Sequence, residues 1–447
     1  MLTSPRCLLT IAPLLLLTSS LFAADPVREF PLKDGDIWVM AGDSITAQHL
    51  HSNYFEAFCF ARYPELKFAF RNSGVGGHTI PSTLNRFEYD IAAWKPTVVS
   101  VELGMNDSGS TPQEKFIENM GTMVERIRKT NARPVVLSAS PVNDGTVMAK
   151  ANGRNVRLSE YAKGLAEFCG KEQVPYADQF HELVDRWGAN KPRELLANSL
   201  NNLKQLASDD QLAGVDHLRQ FLAAQAKVAQ PPVSLQGDPV HPGAPGQLMM
   251  AAALLKALGA KSFVSSATID ATGKVVVAKD CKISEVAATG DSLTFNRFDE
   301  RLPFPIPEET RAVVALYPTI LELSEYTLQV PGLKPGSYQL KINGIAAITC
   351  TADQLAAGIN LTNLSSEPGA AANPIAVQAR GILNAVAAKE TLVGQWRGLS
   401  QRAHAAGAAA ELKDDLAKLT SKVEEADAAI RKVAQPQPLR FEIVAAK

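Results

Sequence analysis

Strong charge of either sign is missing. The 447 residues carry 45 Lys and Arg against 46 Asp and Glu, a formal net charge of −1. No Lys/Arg run builds a local basic field, which excludes a nucleic-acid binder or a protein held on anionic lipid. Cysteine is scarce too: five residues in this length are no disulfide framework. Cys59 and Cys169 lie in apolar helical stretches and read as buried thiols. Cys281 and Cys350 lie in strand-like segments and are able to bridge in an oxidising compartment. Metal-ligand spacing such as His-x-x-x-His does not occur, so no metal is expected. Internal repeats are absent as well. With 46% hydrophobic and 20% charged residues, what remains is a chain that buries a core, long enough for two or three structural units.

The first 24 residues form a separate object. Arg6 supplies a positive start, Leu8–Leu17 an apolar stretch, and Ser19–Ala24 small residues near a cleavage point. This is the layout of a secretory signal peptide, and the apolar stretch falls short of the ~20 residues of a membrane span. Export to the periplasm or the extracellular space is expected, with no stable membrane insertion after cleavage.

From Asp36 to about Ala260 short apolar runs alternate with helical stretches. Ile37–Ala41, Phe68–Phe70, Thr97–Val101, Pro134–Leu137 and Val174–Ala177 are the runs; Gln113–Lys129 and Val156–Gly170 are examples of the helices. That pattern predicts a parallel α/β sheet covered on both faces, with ligands beyond the carboxyl ends of its strands. A helical insert spans 180–228. From 263 to 352 the pattern is β-rich: Tyr326, Leu328 and Val330 alternate, then two Pro-Gly turns, then Tyr338, Leu340 and Ile342 before Asn343-Gly344, which predicts a hairpin. Residues 353–447 are Ala-rich and read as helical.

Four motifs stand at strand ends: Gly42-Asp43-Ser44-Ile45-Thr46, Asn72-Ser73-Gly74-Val75-Gly76-Gly77, Gly104-Met105-Asn106-Asp107 and, far downstream, Asp238-Pro239-Val240-His241. Each alone is weak. Together they supply an acyl-transfer site. A serine hydroxyl needs a base to take its proton, and His241 is the candidate. Asp238, three residues earlier, can fix the imidazole tautomer. An oxyanion needs donors already in place, and the N–H groups of Ser44 and Gly74 with the Asn106 side chain lie at three adjacent strand ends. Asp43 and Asp107 read as structural, and His49, His51 and His78 as loop histidines flanking the cleft.

Two look-alikes fail. Gly290-Asp291-Ser292-Leu293 sits in the β-rich part with no Gly-x-Asn-Asp after it, and the later His404 has Gln401 where an Asp would be needed. Gly74-Val75-Gly76-Gly77 resembles a dinucleotide fingerprint, but its third glycine would fall at Thr79, so no cofactor is expected. A Gly-x-Ser-x-Gly elbow around Ser44 is lacking, which argues against an α/β-hydrolase.

The four blocks, in order and spacing over about Ile37 to Leu258, resemble those of the SGNH, or GDSL-type, hydrolase superfamily. The resemblance implies a flavodoxin-like three-layer fold, Ser44 as nucleophile, Gly74 and Asn106 as oxyanion donors with the Ser44 N–H, and Asp238 and His241 completing the triad. It also implies hydrolysis of esters on a small molecule or polysaccharide, often acetyl groups on sugars. The expected layout is a signal peptide at 1–24, the hydrolase unit at 25–262, a β-rich unit at 263–352 and a helical C-terminal region at 353–447.

Overall fold

A computed structural model describes residues 29–142, 153–225, 234–235, 237–289, 292–364 and 371–446. The proposed signal segment lies outside the described residues. Five parallel strands, β1 (Ile37–Gly42), β2 (Ala69–Gly74), β3 (Val98–Glu102), β4 (Arg133–Leu137) and β5 (Tyr176–Ala177), form one sheet in the order β2-β1-β3-β4-β5. Connecting them are α1 (Ser44–Ala47), α2 (His51–Arg62), α3 (Ile80–Asn85), α4 (Phe87–Asp90), α5 (Gln113–Lys129) and α6 (Gly153–Glu172); α7 (Gln179–Leu206), α8 (Val215–Gln225) and α9 (Ala244–Ala257) follow.

Both faces of the sheet are covered, so the central strands are apolar throughout rather than alternating. In β1, Trp38 and Met40 pack on one side with α2 and α9, while Val39 and Ala41 pack on the other with α5 and α6. Helix α5 shows why such helices form. Phe116, Met120, Met123, Val124 and Ile127 fall at three- and four-residue steps and are all buried. The chain runs from β1 outward to β2, then crosses back to β3 on the other side of β1. This reversal makes the carboxyl ends of β1 and β3 the place where a crevice opens.

The β-rich part comprises β6 (Phe263–Ile269), β7 (Val275–Lys279), β8 (Cys281–Thr289), β9 (Ser292–Asp299), β10 (Glu325–Gln329), β11 (Ser337–Ile342), β12 (Ile345–Thr351), β13 (Ile359–Asn360) and β14 (Leu439–Ala445). Four strands form a sheet in the order β13-β10-β6-β7, and five form another in the order β12-β11-β14-β9-β8. The two share one apolar core, including Val264, Leu293, Phe295, Leu328, Leu340 and Phe441. The expected hairpin is not formed as read. Tyr326–Val330 and Tyr338–Ile342 belong to different sheets, and the hairpin is β11–β12, closed by Asn343 and Gly344 with φ of 50° and 79°. The first Pro-Gly turns the chain out of its sheet rather than back along it. A Cys281–Cys350 bridge is not formed either. Both are buried free thiols, on β8 and β12 at opposite edges of the five-stranded sheet. With strands ~4.8 Å apart, that separation far exceeds the ~7 Å Cα limit of a disulfide.

Two short helices, α10 (Thr319–Glu322) and α11 (Ala352–Ala357), precede a long hairpin of α12 (Pro374–Ala403) and α13 (Ala410–Val433). The C-terminal region is thus only partly helical: β13 pairs with β10, α12 and α13 carry the helical stretch to Val433, and the last residues form β14, inserted between β11 and β9. The helical hairpin covers the β2 edge of the parallel sheet. Arg71 of β2 makes two hydrogen bonds to Asp427, at 3.0 and 2.7 Å. Lys389, fully buried, donates to Glu56 at 2.9 Å and to the Phe70 carbonyl at 2.8 Å, and Trp396 stacks on Trp94.

Candidate active site

Ser44 is the first residue of α1, directly after β1. The Asp43 carboxylate caps that helix by accepting from the Ile45 N–H at 2.9 Å, which fixes the turn carrying the serine. Burial, reinforced by the nearby Glu102, pushes the Asp43 carboxyl up to about 7.

Across the crevice, His241 and Asp238 lie on the tight loop before α9. Asp238 Oδ1 accepts from the Val240 and His241 N–H groups, each at 2.8 Å, while its Oδ2 lies 2.7 Å from His241 Nδ1. The His241 backbone N–H is the main reason that the Asp238 carboxyl is held below its usual range. A carboxylate only accepts, so Nδ1 carries the hydrogen and Nε2 of the neutral ring is left as acceptor. Nε2 lies 2.7 Å from Ser44 Oγ. The structure thus brings together the three residues singled out in sequence.

The supposed donors divide. Asn106 Nδ2, after β3, donates to the His78 carbonyl at 3.0 Å and reaches Asp43 Oδ2 at 3.5 Å. Gly74 is a correction. Its N–H is committed to Asn72 Oδ1 at 2.8 Å, and a Cβ there would lie 2.4 Å from the Ala47 nitrogen. Glycine is needed at 74 so that β2 can pass beneath α1, and its N–H does not serve the crevice. Two residues on, Gly76 lies against Ser44, its Cβ position 3.9 Å from that of the serine, and Gly77 takes a φ of +74°. Nothing in the sequence says which way an N–H points.

Other groups are structural supports, and of these Gln247 and Arg397 had no signal of their own in the sequence. Gln247, fully buried in α9, donates to the Pro242 carbonyl at 3.1 Å and to Gln48, and accepts from the His51 N–H at 3.0 Å. It therefore ties the His241 loop to the segment after α1. His51 is buried with Nε2 2.9 Å from Glu102; burial opposes its charge, but the carboxylate outweighs burial and raises its pKa. His78 accepts from Arg86 Nε at 3.1 Å. Asp107 accepts from the Ile80 N–H at 3.2 Å, and burial raises its carboxyl. Arg397 of α12 donates to the Gly74 carbonyl at 2.9 Å and pairs with Asp90. In the literal Gly-Asp-Ser-Leu, Gly290 and Asp291 lie outside the described residues. Ser292 is in β9, 2.7 Å from the Thr289 hydroxyl.

A second serine–histidine–aspartate line was not anticipated. Asp178 caps α7 by accepting from the His181 N–H at 3.0 Å, its Oδ2 lies 2.7 Å from His181 Nδ1, and His181 Nε2 lies 2.9 Å from Ser159 Oγ. Ser159, however, sits in the middle of α6, where its own N–H is spent inside the helix.

A serine–histidine–aspartate line beside the carboxyl end of β1, in a five-stranded parallel sheet, gives this α/β fold the layout of an acyl-transfer site. Residues 40–249, just under half of the chain, match the model of the GDSL-like lipase/acylhydrolase family. An acetylxylan esterase of Geobacillus stearothermophilus is 26% identical over 199 residues, 44% of this chain and 76% of that protein. An uncharacterized lipoprotein, YqeF, of Bacillus subtilis is 27% identical over 81 residues, 17% of this chain and 33% of its own length. Among solved structures, one described as a gut microbial diltiazem-metabolizing enzyme aligns with a TM-score of 0.69 at 21% identity, covering 94% of this chain and 99% of that one. The β sheets and helical hairpin therefore belong to a fold known outside this chain.

Proposed function

We propose that the protein is an exported serine esterase that removes acetyl groups from a carbohydrate. Ser44 is the nucleophile, His241 the general base and acid, and Asp238 the group that orients it. The carrying observation is the continuous line from Asp238 through His241 to Ser44, 2.7 Å at each step. His241 Nε2 takes the Ser44 proton as Oγ attacks the ester carbonyl. The oxyanion is met by the Ser44 N–H at the start of α1, the Gly76–Gly77 segment and the Asn106 amide, which turns from the His78 carbonyl and Asp43 to reach it. Collapse expels the sugar hydroxyl with the proton from His241, leaving an acetyl-serine. Water, deprotonated by the same imidazole, then releases acetate. Each preorganised donor is worth on the order of 2.7–4 kcal/mol in the transition state.

Two things support a small acyl group. The loops at 74–79 and 106–109 carry no run of large apolar residues to enclose an alkyl chain, although each enclosed methylene would contribute about 0.8 kcal/mol. The Geobacillus relative, moreover, is an acetylxylan esterase. Export rests on the layout of residues 1–24, and residues 25–262 form the catalytic unit. Assays of nitrophenyl acetate, butyrate and octanoate beside acetylated polysaccharides test the reading. Acetate should be cleaved fastest, with acetate released from the polysaccharide. Faster cleavage of octanoate would replace the deacetylase with a lipase-like enzyme.

A further inference from the structure

A cavity of about 570 Å³ lies apart from the triad, walled by the start of α2, the segment 306–309 and the first half of α12. Its size is that of a small-molecule site, ~300–1,000 Å³. We propose that it is a subsite for the uncleaved units of a neutral oligosaccharide whose ester-bearing unit lies at Ser44; this rests on the esterase reading above.

The chemistry of the walls selects the ligand. Asn53, Asn384, Arg380 and Glu309 present amide, guanidinium and carboxylate groups, and Tyr54, Leu50 and Ile306 present ring and aliphatic surface. Donors and acceptors side by side suit vicinal hydroxyls, and the apolar patches suit the C–H faces of a sugar ring. An anionic ligand gains little: Glu309 balances Arg380, Glu308 is paired with Arg311 at 3.1 Å, and burial lowers the pKa of His49, which keeps its imidazole neutral. Four polar side chains set among apolar ones favour a ligand that offers hydrogen bonds over a long alkyl chain, which offers none.

Two connections link the cavity to the triad. His49, on its wall, stands two residues beyond α1, which opens on Ser44. Helix α12 runs from the cavity wall at Ala387 to Arg397, which bonds the Gly74 carbonyl; ten helical residues span ~15 Å. The proposed substrate extends across both places.

The test compares kcat/KM for an acetylated tetrasaccharide with that for the acetylated monosaccharide, in the wild type and in Arg380→Ala/Asn384→Ala. Removing these hydrogen-bonding groups should shrink the wild type's preference for the tetrasaccharide about tenfold. Calorimetry with the unacetylated tetrasaccharide should show binding to the wild type that the double variant weakens. Ala376→Trp, which fills the cavity without removing a polar group, should do the same. An unchanged preference, or equal binding by all three proteins, overturns the subsite. If the wild type cleaves neither substrate, the esterase reading fails and the subsite with it; cleavage with no chain-length preference sinks the subsite alone.

Discussion

The two serine–histidine–aspartate lines are nearly identical in their hydrogen bonds and unlike in everything around them. In both, an Asp-x-x-His segment folds so that one carboxylate oxygen accepts the histidine N–H and the other accepts from Nδ1. The pattern recurs because it is first a capping device: an aspartate that satisfies an N–H three residues on also brings that residue's side chain within reach. What differs is the serine. Ser44 starts a helix at the end of a central strand, with Gly76 against it and Asn106 at the next strand end. Ser159 lies mid-helix, where no free N–H accompanies its hydroxyl. A base beside a hydroxyl is therefore cheap in a protein, and preorganised donors around the oxyanion are the scarce part.

The largest expected effect breaks the comparison outright. Ser44→Ala should lower esterase activity at least about a thousandfold while the protein stays folded, since the nucleophile carries the covalent step. Ser159→Ala should stay within about twofold of wild type. Loss on the second substitution and not the first would invert the assignment. Next come the donors. Asn106→Ala should cost about 10²–10³ in kcat with the melting temperature nearly unchanged. Gly74→Ala should do the opposite in kind: its Cβ meets the α1 backbone at 2.4 Å, so it lowers the melting temperature, and activity falls with the fraction folded. A large kcat loss in a fully stable Gly74→Ala would restore Gly74 as a donor.

The smallest effect concerns pH. The Asp43 carboxyl sits at about 7 in the fold, raised by burial and then by Glu102, against an unfolded value near 3.9. A raised carboxyl contributes stability that is present below the unfolded value and lost as pH climbs through the folded one. Asp43→Asn keeps an oxygen to cap Ile45 but removes the titration. Its melting temperature relative to wild type should therefore rise between about pH 4 and pH 8. A constant difference across that range would mean that Asp43 ionises normally.

Legibility followed distance along the chain. Ser44, His241 and Asp238, which meet at hydrogen-bond distance, lie in short local motifs, and the parallel sheet announces itself by apolar runs between helices; that much was readable. Gly74 was misread because Asn72, two residues away, captures its N–H, a matter of direction rather than composition. The Cys281–Cys350 pair looked plausible because strand order is invisible until β14 returns to separate β11 from β9. The ion pairs that seat the C-terminal hairpin, Lys389 with Glu56 and Arg71 with Asp427, join residues more than 300 positions apart. Nothing in local pattern marks a buried lysine as belonging to a sheet edge. Gln247 is likewise one polar residue in an apolar helix, and only the fold shows that it ties two loops together.

The central claim is that Ser44, and not its look-alike, is the activated nucleophile. Brief reaction of the wild-type protein with a serine-directed fluorophosphonate, followed by digestion and mass spectrometry of the peptides holding Ser44 and Ser159, measures it directly. The account predicts one equivalent of label on Ser44, appearing as activity disappears, and none on Ser159. Label on Ser159, or full loss of activity with Ser44 unmodified, would contradict it.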